Sequence, residues 1–275
     1  LRLPTAVAGS AVGVALGISG LLFQRLLGNP LASPDFVGVS SGASLFAVSA
    51  IVLLDASSTV ISGSALLGAL LSASLIYVLA WRVGISGSRF IPIGIGISQL
   101  MLSLVGYIVA HASIYEAREA MTWLVGTVGQ AGSGELRTLL VALTILLPLV
   151  LVLERPLRAL ELGDDTARAL GARVELNRFG LIAVAIVLIG VAVAVAGPIM
   201  FVALVAGPIA QRLVGRGAGG IAAAGCVGAI ITLGADLVAH QLLPTDLPTG
   251  VIAGLVGAPY LIWLLVPVNK EGRGG

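Results

Sequence analysis

The sequence predicts an all-α fold, a polytopic bundle of transmembrane helices, and three observations carry that prediction. Of 275 residues, 58% are hydrophobic and 10% charged, where a soluble domain carries about 25% charge; mean hydropathy is +1.10. Apolar runs approach or reach the roughly 20 residues needed to cross about 30 Å of hydrocarbon. The 37 glycines recur through those runs, as in Gly13-Val14-Ala15-Leu16-Gly17 and Gly250-Val251-Ile252-Ala253-Gly254. Small residues at i and i+4 let helix backbones approach closely in lipid. A soluble enzyme domain, a fibrous protein and a disordered chain are excluded.

Nine spans follow in order, at roughly 4–24, 36–54, 59–81, 90–110, 137–153, 179–196, 199–214, 221–243 and 250–268. Asn29-Pro30 stops the first run, because proline disfavours helix in the residue before it. Ser33-Pro34-Asp35 reads as the start of the second: an N-cap, a proline at the first helical position and an acid at the positive end of the dipole. Gly197-Pro198 separates the sixth run from the seventh, and its echo at Gly207-Pro208 reads as a neighbouring break. The seventh run is short and contains Pro208.

The cations orient these spans. With the segment after the first span in the cytoplasm, the inside loops and tail collect Arg25, Arg82, Arg89, Arg155, Arg158, Arg168, Arg173, Arg178, Arg212, Arg216, Lys270 and Arg273. Only Arg2, Arg118 and Arg137 stay outside, so twelve of the fifteen cations lie inside. That bias places the C-terminus in the cytoplasm. Leu1 then faces outward and is not an initiator Met, so a further span upstream is expected.

Several chemistries lack their residues. A phosphate-binding P-loop ends in Lys-Ser or Lys-Thr, and the single lysine, Lys270, precedes Glu271. No Ser/His/Asp arrangement suggests acyl chemistry. His111 and His240 lie far apart near outer span ends, and Cys226 is alone, so no metal site is expected. Asp236 is the acid placed clearly inside a span. It reads either as a proton site or as a hydrogen-bonded group near the outer interface.

The most unusual polar stretch joins the fifth and sixth spans, at about 155–175. Asp164-Asp165 open a short helix ending at Gly171, with acids at its start and Arg168 near its end, as the macrodipole favours. Such a cytoplasmic helix reads as a partner-docking element or as a solvated connector.

Four segments together resemble the permease family of ABC importers for iron-siderophores, haem and cobalamin, the FecCD or BtuC-like type II importers. They are Leu1 to Pro4 leading through Gly13–Gly20, Gln24 and Asn29-Pro30-Leu31-Ala32-Ser33-Pro34-Asp35 to Gly38-Val39-Ser40-Ser41-Gly42-Ala43; Leu162 to Gly171; Ala196-Gly197-Pro198-Ile199-Met200-Phe201-Val202-Ala203-Leu204-Val205; and Ala235-Asp236 with Leu247-Pro248-Thr249-Gly250-Val251 and Gly257-Ala258-Pro259-Tyr260.

The resemblance implies one permease domain over 1–275, supplying helices two to ten of a ten-helix subunit in a bacterial plasma or inner membrane. It implies a second permease subunit, two cytoplasmic ABC ATPases that hold the ATP-Mg, and an extracytoplasmic binding protein that delivers ligand. This chain would be no enzyme, would bind no cofactor of its own and would meet no nucleic acid. Glu161, Gly163, Asp164, Thr166, Ala167, Leu170 and Gly171 would form the ATPase-coupling surface. Arg2 and His240 would meet the binding protein, His240 standing where the family carries arginine. Ser98, Gln99, Ser103 and Tyr107 would line the pathway. Within the family the ligand reads as an iron-siderophore, with haem and cobalamin open; outside it, a proton-coupled carrier using Asp236 is the alternative.

Overall fold

A computed structural model describes residues 2–35, 38–80, 87–215, 219–242, 244 and 246–271; within these, the side chains of residues 2, 87–90, 130, 261 and 263–271 lie outside the description. The described chain is helical from end to end. Its helices are α1 (Arg2–Leu27), α2 (Val39–Leu54), α3 (Ser58–Ala80), α4 (Gly87–His111), α5 (Ile114–Val125), α6 (Ser133–Leu160), α7 (Asp164–Ala169), α8 (Val174–Ala196), α9 (Val202–Val214), α10 (Gly220–Leu237) and α11 (Thr249–Glu271). A 3-10 turn at Val128–Gln130 follows α5, and a π turn at Val238–Leu242 extends α10.

Nine of these helices fall on the nine apolar runs. Six are long and apolar enough to cross a membrane, and Val39–Leu54, Val202–Val214 and the Thr249–Tyr260 part of α11 are shorter apolar helices. At 1.5 Å per residue, α9 is about 20 Å long and short of a full crossing. Alternate helix ends gather at two poles. One, the α7 end, holds the C-termini of α1, α6 and α9 and the N-termini of α8 and α10. The other, the α5 end, holds the C-termini of α2 and α8, the N-termini of α3 and α6, and α5 itself.

Helix α1 is the hub. It packs against α8, α9 and α10, and its glycines are the reason. A Cβ on Gly13 would strike the backbone of Gly228 and Ala229, and one on Gly20 would strike the backbone of Ala203. The i, i+4 pattern thus places backbone on backbone, where dispersion and packing drive helix association in lipid. Buried Leu16, Leu21, Leu22 and Phe23 fill the rest of this seam.

Two expectations at breaks require correction. Helix α2 begins at Val39 with Gly38 as its N-cap, at φ 92° and with no side-chain cap. The Ser33-Pro34-Asp35 sequence forms a turn ahead of it, because the Asp35 carboxylate takes the Ser40 hydroxyl at 2.6 Å instead of capping backbone amides. Pro208 does not break the chain; it sits inside α9. Proline lacks the N–H that would bond the carbonyl four residues back, and Gln24 Nε2 of α1 donates to that freed Leu204 oxygen at 2.8 Å. Helix α5 is an element the apolar runs do not announce. It starts in a full capping box between Ser113 and Glu116.

Candidate functional site: a cavity wall and the α7 end

Helices α2, α4 and α9 border a cavity of about 550 Å³. One wall carries hydroxyls: Ser33, Ser40, Ser41 and Ser44, with Asp35 among them and Ser98 and Gln99 opposite on α4. Ser40 and Ser44 are four residues apart and therefore share a helix face. The remaining wall is apolar, with Ile95, Leu102, Met200, Phe201 and Leu204. Phe201 holds φ 69°, an uncommon conformation for a bulky residue that recurs at functional sites. The chain reaches it after the Gly197-Pro198 break, and Gly257 of α11 leaves the space into which its ring packs.

Asp35 receives Ser40 Oγ at 2.6 Å and Ser33 Oγ at 3.3 Å. Burial pushes its carboxyl above the usual carboxylate range, and these two hydrogen bonds oppose the shift. Of the four α4 residues named from the sequence, the structure brings Ser98 and Gln99 to the cavity. Ser103 bonds the Gln99 carbonyl at 2.8 Å, and exposed Tyr107 lies over His111 with ring centroids 4.4 Å apart. Asp35, the serines of α2 and Phe201 are cavity residues that sequence reading missed. The Ser40-x-x-x-Ser44 spacing was the signal available for the serine wall.

At the α7 end, the short helix stands where Asp164 and Gly171 place it. Gly163 and Gly171 take φ of 96° and 81° in open space, and Ala167 is fully buried beneath. Leu162 and Leu170 are 62% and 64% exposed, so the unit offers leucine to its surroundings. Glu161 and Asp164 turn the other way. Arg25 donates to both Glu161 oxygens at 2.6 and 3.0 Å, and Arg178 donates to Asp164 Oδ1 at 2.7 Å. Thr166, also among the expected docking residues, is exposed.

At the α5 end, Asp236 accepts the Thr249 hydroxyl at 3.0 Å and lies 3.3 Å from His240 Nδ1. The same histidine nitrogen is 3.1 Å from the Asp236 carbonyl. The Arg2 side chain lies outside the described residues, but α1 runs antiparallel to α10, with Gly9 beside Leu233, which brings the backbone of Arg2 toward the His240 end. Among the described residues, no group of three His, Cys, Asp or Glu could hold a metal ion.

The chain as a whole resembles known proteins. The model of the FecCD transport family matches residues 1–267. The ferric enterobactin transport system permease protein FepG of Escherichia coli K12 is 39% identical over 271 residues, covering 98% of this chain and 82% of its own. The achromobactin permease CbrC of Dickeya dadantii is 38% identical over 270 residues, 97% of this chain and 77% of its own. Hemin and vitamin B12 permeases match at 34% and 35% identity. Among solved structures, an inward-facing metal-chelate type ABC transporter superposes with a TM-score of 0.89 at 26% identity, covering 97% of this chain and 86% of that one. The family match runs along nearly the whole length, and this multi-pass membrane protein belongs to the FecCD transport family.

Proposed function

We propose that this chain is a permease subunit of an ATP-driven importer, in a bacterial cell membrane with its C-terminus in the cytoplasm. It would pair with a second permease and be driven by two ATP-binding subunits. The observation that carries this reading is the α7 unit: a short helix at the cation-rich end, with exposed Leu162 and Leu170, in a chain whose sequence contains no Walker lysine. A conduit without its own phosphate site needs an external ATPase, and exposed leucines on a short helix suit a groove on such a partner. ATP then shifts the inward–outward equilibrium through its different affinity for the two states.

The cargo is an iron-siderophore-type chelate handed over by an extracytoplasmic binding protein, whose docking would use the end bearing Arg2 and His240. Identity to the enterobactin and achromobactin permeases exceeds identity to the hemin and vitamin B12 ones. The cavity fits this use: one hydroxyl wall and one apolar wall give a bulky chelate a surface without fixed cationic traps. Asp236 is held by Thr249 and His240 at the bundle's end, which favours a structural role over a proton site.

Proteoliposomes holding the permease, its ATPase and its binding protein test the assignment. Ferric enterobactin, ferric hydroxamate, ferric citrate, haem and cobalamin are offered in turn. The expected result is ATP-dependent uptake of a ferric siderophore. Uptake without ATPase that collapses in Asp236→Asn overturns the reading in favour of a proton-coupled carrier.

A further inference from the structure

Two of the residues expected to face an ATPase are committed elsewhere. Arg25, its side chain 8% exposed, grips Glu161 through two donors, and Arg178, its side chain 12% exposed, grips Asp164. Covered guanidiniums with charge-assisted bonds at these distances hold more firmly than exposed surface pairs. They join the α6–α7 corner, Glu161 at the end of α6 and Asp164 at the start of α7, to the last turns of α1 and the first turns of α8. Both pairs line a cleft of about 580 Å³ whose far wall carries Gln211, Gly215 and Gly220 of the α9–α10 region.

The chain beyond Arg25 is wound tightly. Asn29 N–H donates to the Gln24 carbonyl at 3.1 Å, Ala32 N–H to the Asn29 carbonyl at 3.0 Å, and Leu31 N–H to Asn29 Oδ1 at 2.9 Å. That turn leads directly to Ser33 and Asp35 of the cavity wall. Gly163 and Gly171, by contrast, sit at positive φ with no atom within 4 Å of where a side chain would start, so little side-chain packing braces the ends of α7.

We propose that Arg25 and Arg178 are positioning residues for transport, fastening the α7 unit to α1 and α8 so that its displacement reaches the 28–35 turn and the serine wall. The proposal rests on the reading of α7 as the ATPase contact. Without the fasteners, the α6–α7 corner would move free of α1 and α8, and the ATPase would turn over with the cavity unmoved. Glu161 and Asp164 then transmit force and do not contact the ATPase.

The test uses the assembled permease–ATPase complex in nanodiscs, with Cys226→Ser removing this chain's one cysteine and Gln99→Cys reporting from the cavity, labelling being read on the permease band alone. Labelling of the reporter by a polar maleimide is timed with and without ATP-Mg, so no transported ligand is required. The parent complex should show an ATP-dependent rate change. Arg25→Glu should shrink that change about tenfold, within the 5–150-fold span of coupling between sites, while ATP hydrolysis and ATPase retention persist. Arg25→Gln should do the same where the charge reversal misfolds, and the swapped pair Arg25→Glu with Glu161→Arg should restore the response, which loss of folding alone does not allow. A full ATP response in both single variants, or a folded swap that stays uncoupled, overturns the proposal. A parent complex that retains its ATPase but ignores ATP overturns the underlying docking reading as well.

Discussion

The two ends of the bundle are closed by different means. At the α5 end, backbone lies on backbone. Gly126, Gly197 and Gly250 bring the end of α5, the α8–α9 break and the start of α11 together, with Thr127 N–H on the Ala196 carbonyl at 2.7 Å and Gly250 N–H on the Gly126 carbonyl at 3.0 Å. At the α7 end, long side chains cross between elements, Arg25 to Glu161 and Arg178 to Asp164. A glycine contact admits no added atom, whereas an arginine pair can lengthen and re-form. The contrast suits the proposed division of labour, with a close-packed pole at one side of the cavity and, at the other, the pole on which an ATPase would pull.

The largest effect should come from the α5 end. Gly197→Val or Gly250→Val drives a side chain into the Trp123 or Val125 carbonyl and should cost more than about 4 kcal/mol, the range of severe steric lesions. Thermal stability by size-exclusion in detergent measures it, and near-normal midpoints would erase the contrast. Arg25→Ala at the α7 end should cost less, about 1–3 kcal/mol for a lost charged hydrogen-bond pair, because Glu161 is 35% exposed and regains water. A double-mutant cycle with Glu161→Gln isolates the pair, and a coupling energy near zero would deny it a role.

Between the poles, Gln24→Leu should cost about 1 kcal/mol by orphaning the Leu204 carbonyl. The loss should nearly vanish in Pro208→Ala, whose restored N–H takes that oxygen; equal losses in both backgrounds would reject this account of the proline. The smallest effect concerns pH. The Asp35 carboxyl is raised by burial, so the folded state binds its proton more tightly than the unfolded chain. The stabilisation is whole below the ordinary carboxylate value of about 4 and is lost as pH climbs toward the raised value. Asp35→Asn does not titrate, so its midpoint relative to the parent should rise between pH 4 and pH 7. A pH-independent difference would contradict that sign.

Much of the fold was legible because lipid demands long apolar runs and their interruptions show as Gly-Pro, Asn-Pro or charge. The α7 helix was legible from Asp164, Gly171 and the charge order between them. What escaped depends on partners remote in sequence. Pro208 looks like a break until Gln24, distant along the chain, supplies the missing donor. Glu161 and Asp164 look free until Arg25 and Arg178 arrive in space. Asp35 looked like a helix start, yet Ser40 engages its carboxylate. Helix α5 escaped because it is amphipathic and short, although Ser113-Ile114-Tyr115-Glu116 carries the spacing of a capping box. Half of the α4 pathway set reached the cavity, since helix register there depends on neighbours that periodicity does not name.

The most direct test of a conduit worked from its α7 end is retention of the ATPase on the purified permease when Leu162→Asp and Leu170→Asp are combined. Both side chains are exposed, so the bundle should stay folded while ATPase retention falls about tenfold or more, equivalent to about 1.4 kcal/mol or more. A folded double variant that holds its ATPase as firmly as the parent would contradict the account.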